Sequence, residues 1–246
     1  VRQAMGSYEA RIPEGLGMKI LIVSGSRADL GLLHCPEKVL REDGHEVTLE
    51  QTSYLNFAEA YHGAAYMVQN HEMLLILGDR WEILAAATAA HLQRIPIAHI
   101  GGGDVTEGSY DDAMRDCISR MASIHFATSF SAAARLVALG YRNVHLVGNP
   151  AVDYIMREPW QREREVAEPY VLVSYQPETS DDTVDLEAVN AAINGRRAVW
   201  ISPNPDRGSD RIPNGASYSH DRFLNLMFHC DELIGNSSAM CYEAPF

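Results

Sequence analysis

Leu77 to Arg115 reads LGDRWEILAAATAAHLQRIPIAHIGGGDVTEGSYDDAMR, and its pattern decides the fold. The apolar run Met73 to Leu77 stops at Gly78 and the opposed charges of Asp79 and Arg80. A helix follows over Ala85 to Gln93, where alanine brings high helix propensity and a small face to lay against a sheet. A second apolar run, Ile95 to Ile100, opens into Gly101, Gly102 and Gly103 and then into Asp104, Glu107, Asp111 and Asp112. Continuous apolar strands joined through a helix form a parallel βαβ unit. The two strand ends deliver Asp79 and the acidic cluster to one rim of that sheet. Open α/β sheets bind ligands at the carboxyl ends of their strands, so this rim is the expected reaction centre. Asp111 or Asp112 can also serve as the cap of the next helix, expected to run to about Ser123. Four carboxylates in one glycine-rich loop are harder to assign to capping alone. His99 is the polar residue of its strand, and a lone histidine there is more often a hydrogen-bonded core residue than a catalyst.

The same alternation extends in both directions. Lys19 to Ser24 (KILIVS) has the pattern of a buried parallel strand, and a helix is expected from about Leu30 to Glu42, stopping at Asp43-Gly44. The turn between them, Gly25-Ser26-Arg27-Ala28-Asp29, is either an ordinary βα turn or an anion site of backbone N–H groups and helix dipole. Arg27 favours the second, because a guanidinium grips phosphate well. G-x-G-x-x-G and G-K-[ST] are both absent from this turn, which excludes NAD and P-loop ATP sites there. His45 to Gln51 alternates like an edge strand, and Phe57 to Gln69 reads as a helix. Beyond the central stretch come a strand at Ile124 to Ala127, a helix at Ser131 to Leu139, a strand at Val144 to Val147 and a helix at Val152 to Met156.

Arg157 to Pro169 is charged, carries Pro159 and Pro169, and reads as a connector between domains. The alternation then restarts. Strands are expected at Tyr170 to Ser174, Ala198 to Ser202 and Glu232 to Ile234. Helices are expected at Asp182 to Asn194, at Ser219 to Phe228 and from Ala239. Gly235-Asn236-Ser237-Ser238 is a second strand–glycine–helix turn suited to phosphate oxygens. The division is therefore two doubly wound α/β domains, residues 18–157 and 158–246, the second of them unfinished. Residues 1–17 do not look like a folding segment and read as a remnant ahead of Met18.

Composition narrows the ligand. The formal net charge of -13 over 246 residues is a poor match for nucleic acid, which needs a basic face. An anionic ligand must then be held by a few focused cations and helix N-termini. The four cysteines have neither C-x-x-C nor zinc spacing, and no H-E-x-x-H occurs, so neither a metal nor a cofactor is expected. No apolar run is long enough for a membrane span, and a cytoplasmic protein is expected.

Taken together, the motifs resemble the hydrolysing UDP-N-acetylglucosamine 2-epimerases of the sialic-acid and legionaminic-acid branch. The resemblance rests on Gly25 to Gly31 (GSRADLG), Gly78-Asp79-Arg80 with Glu82, Ile95 to Ile100, and Gly102 to Gly108 with Asp111, Asp112 and Arg115. Ser202-Pro203-Asn204 with Asp206 and Gly208, and Gly235 to Ser238 with Glu243-Ala244-Pro245, complete it in family order. It implies a glycosyltransferase-B-type fold of two Rossmann-like domains facing across a cleft, and a homodimer. It implies a UDP-linked sugar as partner, with Gly25, Ser26, Arg27, Arg80, Gln176, Asn204 and Asn236 around it. Arg27, Ser237 and Ser238 would meet the diphosphate, and Glu243 the ribose hydroxyls. Asp79, Asp104, Glu107, Asp111 and Asp112 form the candidate catalytic set, since carboxylates in differing environments can serve as acid and base.

The chain departs from the family pattern at Gly101, Asp104, Asp116 and Gln176, where relatives carry other residues. These departures leave the base and the exact N-acetylated sugar open, a bacillosamine-type nucleotide included. A non-hydrolysing epimerase and a nucleotide-sugar-binding module without turnover are the competing readings. The loops near Thr52-Ser53 and Arg211 to Ser219 look compressed for the family, so the chain is expected to be trimmed or to lack internal segments.

Overall fold

The computed structural model describes residues 17–107, 109–177, 184–204 and 208–245, without the side chains of Arg27 and Ala28. Gly108, Asp206 and the expected helix start at Asp182 fall outside these residues, as does the Arg27 side chain. The chain divides into two compact units, Val1–Pro150 and Ala151–Phe246.

The first unit is a parallel six-stranded sheet in the order β2-β1-β3-β4-β5-β6. Its strands are β1 (Lys19–Ser24), β2 (Glu46–Gln51), β3 (Met73–Leu77), β4 (Ile97–Ile100), β5 (Ile124–Ala127) and β6 (Val144–Leu146). Helices α1 (Arg27–Glu42), α2 (Phe57–Val68), α3 (Trp81–Leu92), α4 (Asp111–Met121) and α5 (Phe130–Ala138) alternate with them. Buried strand side chains point alternately to two cores. Ile20, Ile22, Met73 and Leu75 join Leu33 and Leu40 of α1 on one face. Leu21, Val23, Leu74 and Ile76 join α2, α3 and Ile118 of α4 on the other. Helix α3 packs against both α2 and α4. Ala85, Ala86, Ala87, Ala89 and Ala90 are all buried, which is why a helix apolar on every side suits this position.

Local chemistry shifts several expected boundaries. Helix α1 begins at Arg27, because the Ser26 hydroxyl accepts the Asp29 N–H and caps it there. The turn after β1 is therefore only Gly25-Ser26. Helix α3 starts at Trp81, and β4 starts at Ile97 because Pro96 has no N–H for the ladder. Strand β2 lies at the sheet edge, as its alternation predicts.

The second unit opens with α6 (Pro150–Arg157), whose first residue belongs to the preceding unit. Its sheet is parallel and three-stranded, in the order β8-β7-β9, from β7 (Val171–Ser174), β8 (Ala198–Trp200) and β9 (Glu232–Gly235). Helix α7 (Leu186–Ile193) covers one face through Val189 and Ile193, and α8 (His220–His229) covers the other through Leu226. A one-turn helix, α9 (Ala239–Tyr242), follows β9. The charged connector is tied to α8. Buried Asn225 accepts the Arg162 N–H and donates to Glu163 O, and Arg222 pairs with Glu165. No helix among the described residues is long and apolar enough to cross a membrane.

Candidate active site

In the first unit, the carboxyl ends of β3 and β4 converge on one side chain, Arg115 of α4. Its guanidinium pairs with Asp79 after β3 and with Asp112 one turn back on α4. The same group donates to the Asp104 carbonyl at 2.9 Å and lies 3.4 Å from the Thr106 hydroxyl. The Arg115 side chain is only 8% exposed, and so it holds both carboxylates in a partly desolvated pocket. A planar fork can satisfy several acceptors at once, which a lysine cannot.

The carboxylates of the loop after β4 have separate partners. Asp104 Oδ2 accepts the Thr128 hydroxyl at 2.7 Å. Asp112 accepts the Thr106 N–H through both oxygens, at 3.1 and 3.0 Å. Asp111 Oδ2 accepts the Ser109 hydroxyl at 3.2 Å. Glu107 is exposed. Neither Asp111 nor Asp112 is the cap of α4, because Tyr110 occupies that position with no side-chain cap bond.

His99 braces the platform from below. It is fully buried, with Nε2 2.8 Å from Gly78 O and Nδ1 3.1 Å from the Ser119 hydroxyl. A carbonyl can only accept, so Nε2 carries the hydrogen; in the neutral ring Nδ1 then accepts from Ser119. Burial pushes His99 down to about 4. The ring thus locks the turn that presents Asp79.

Two glycines shape the loop. Gly101 has φ +82, where L side chains rarely sit. Gly103 has φ +81, and a Cβ there would lie 2.5 Å from Ala132 O and 2.8 Å from Leu136 Cγ. Gly103→Ala is therefore expected to cost about 3 kcal/mol, combining left-handed strain with overlap against α5. Gly101→Ala meets nothing closer than 3.8 Å and should cost only the strain, about 1–2 kcal/mol. Urea unfolding of the two variants checks the order; equal losses would contradict it.

Arg80 pairs with Glu82 at 3.3 Å, and Gly25 lies under its stem, with a would-be Cβ 3.1 Å from Arg80 Cδ. Asp29 was not a sequence candidate. Its carboxyl is pushed up to about 6 by burial, with Asp79 adding and Ser26 and Arg80 opposing. Its place in the GSRADLG motif was the available signal. Arg115 was likewise legible only as a motif residue.

In the second unit, Gln176, Asn204 and Asn236 come together at the carboxyl ends of the strands. Gln176 and Asn236 exchange two hydrogen bonds, N–H to Oδ1 at 2.8 Å and Nδ2 to O at 2.9 Å. Gln176 Oε1 accepts the Asn204 N–H at 2.9 Å. Ser237 Oγ accepts the Ala239 N–H at 3.3 Å, and Ser238 stands at the start of α9. Glu243 is paired with His220 at the start of α8. No group of three or more His, Cys, Asp and Glu among the described residues is arranged to hold a metal ion.

Two parallel α/β units of this construction place the protein in the glycosyltransferase-B-type class. The S. aureus MnaA–UDP co-structure shares the fold with a TM-score of 0.77 at 16% identity, over 93% of this chain and 77% of that one. A family model described as UDP-N-acetylglucosamine 2-epimerase matches residues 29–246. The chain belongs to the UDP-N-acetylglucosamine 2-epimerase family. Among its relatives is the UDP-N-acetylglucosamine 2-epimerase of Neisseria meningitidis serogroup B, 31% identical over 71% of this chain and 53% of that protein. Another is the UDP-N,N'-diacetylbacillosamine 2-epimerase (hydrolyzing) of Legionella pneumophila, 26% identical over 92% of this chain and 78% of that protein. The chain thus spans about half the length of the first relative and about three quarters of the second. The Legionella alignment runs over 294 positions against 246 residues here, so that relative carries internal segments with no counterpart in this chain.

Proposed function

We propose that this protein is a hydrolysing nucleotide-sugar 2-epimerase acting on UDP-N-acetylglucosamine or a related N-acetylated nucleotide sugar. The observation that carries the reading is Arg115 holding the carboxylates of Asp79 and Asp112 and the backbone carbonyl of Asp104 at the ends of β3 and β4, in a member of this family. In the first step a carboxylate takes the C2 proton, the C1–O bond to the diphosphate breaks, a C1=C2 bond forms, and UDP leaves. In the second step water gives up a proton to a carboxylate as its oxygen adds to C1, and a carboxylic acid protonates C2 on the face opposite to the one the first proton left. The products are UDP and N-acetylmannosamine.

Asp79 and one or two of Asp104, Glu107, Asp111 and Asp112 carry the proton transfers. Arg27, Ser237 and Ser238 bind the diphosphate, and Glu243 the ribose. Arg80, Gln176, Asn204 and Asn236 complete the binding set with the Gly25-Ser26 turn. The same reading takes the protein to be a cytoplasmic homodimer.

Incubation with UDP-N-acetylglucosamine in deuterated water tests it. Free UDP with N-acetylmannosamine deuterated at C2 is the expected result. UDP-N-acetylmannosamine without free UDP would establish the non-hydrolysing reaction. Binding without turnover would sink the enzyme reading for this sugar, and UDP-N,N'-diacetylbacillosamine is the next substrate to assay. Asp79→Asn and Glu107→Gln should each lower turnover by roughly a hundredfold or more while UDP binding persists. Near-normal turnover in either variant would remove that residue from the catalytic set.

A further inference from the structure

Glu243 has little backbone support of its own. It follows a helix of only four residues, and its side chain could rotate freely if nothing held it. His220 holds it. The imidazole Nε2 meets Glu243 Oε1, across 23 residues of sequence, and the two side chains are only 14% and 10% exposed. A carboxylate only accepts, so Nε2 is the donor.

His220 is itself fixed from two directions. Its backbone lies in the first turn of α8, capped by the Ser219 hydroxyl. Its ring packs on Tyr154, with centroids 4.5 Å apart, and the Tyr154 hydroxyl donates to Asp221 on the same helix turn. Nδ1 is buried without a hydrogen-bond partner, so polar contact orients the ring only through Nε2.

We propose that His220 is a positioning residue for nucleotide binding: it holds one oxygen of Glu243 and so aims the other at the ribose hydroxyls. This rests on the reading of Glu243 as the ribose-binding group. Bound in this way, the carboxylate presents a fixed acceptor to a diol and loses less rotational freedom when the nucleotide arrives.

The test is calorimetric titration of wild type, E243Q, H220F and H220Q with UDP and with 2′,3′-dideoxy-UDP. His220→Phe keeps a ring against Tyr154 but has no donor, and His220→Gln restores a donor near the Nε2 position. We expect H220F to bind UDP about tenfold more weakly, the scale of one hydrogen bond to a charged group. H220Q should recover most of that loss, and all four proteins should bind the dideoxy compound alike. If E243Q loses UDP affinity while H220F keeps it, the positioning role is overturned and the ribose reading stands. If E243Q binds UDP as wild type does, the ribose reading fails and the proposal falls with it. Equal weakening of H220F toward both nucleotides would mean that His220 supports the fold and does not act through Glu243.

Discussion

Arg115→Met is expected to lower the unfolding free energy by about 4 kcal/mol and to abolish turnover, because it leaves a partly buried carboxylate pair without its cation. Asp79 and Asp112 are 21% and 28% exposed at their side chains, so water relieves their mutual repulsion only in part. The Asp104 carbonyl loses a 2.9 Å bond in the same change, which frees the loop carrying the other carboxylates. Arg115→Lys should recover only part of the loss. One ammonium cannot span Asp79, Asp112 and the carbonyl together. Urea denaturation at neutral pH, with turnover of UDP-N-acetylglucosamine on the same samples, measures both effects. A stability change under about 1 kcal/mol would show that the three groups are satisfied without the guanidinium.

Acidification from pH 6.5 to pH 4 is expected to remove about 3 kcal/mol of stability, through two buried histidines opposed by one carboxyl. His99 and His125 are register neighbours on β4 and β5, and burial pushes each from 6.5 down to about 4. For a histidine with a depressed folded value, the unfolded chain binds more protons in this window, so stability falls as pH falls. Asp29 works the other way. Burial raises it from 3.8 to about 6, so the folded chain binds the extra proton and gains stability over much of the same range. One histidine is thus nearly cancelled, and the net effect is that of the other. His125→Phe isolates the balance. His125 Nδ1 is buried without a partner and its ring already packs against Tyr141 at 4.6 Å, so phenylalanine fits its surroundings. That variant should show an almost flat urea midpoint between pH 6.5 and pH 4. A slope as steep as wild type would refute the assignment to this pair.

How far the site could be read in advance differs from residue to residue. Asp79 and Asp104 were legible because each follows an apolar run that ends in glycine, and a parallel strand must release its chain at the carboxyl rim. The gathering of Gln176, Asn204 and Asn236 follows from the same rule applied to β7, β8 and β9. Arg115 appeared in the sequence only as a motif member. Its partner Asp79 lies 36 positions away, and no local pattern states which carboxylate a buried arginine will choose. Asp29 and His220 were missed for a related reason, since one draws its character from burial and the other from an ion pair across 23 residues. The start of α1 at Arg27 was a local error: Ser26 is an N-cap, which the glycine beside it obscured.

The amino-acid sequence by itself determined the strand and helix order, the parallel sheets and the rim on which the polar residues stand. Apolar periodicity and glycine stops are written in a few neighbouring residues, so they can be read without knowing any distant contact. Only the tertiary structure decided that Arg115 ties Asp79 to Asp112, that His99 is a neutral brace under Gly78, and that Glu243 is held by His220. Those assignments depend on which distant side chains are desolvated together, and burial is a property of the packed fold and not of any stretch of chain.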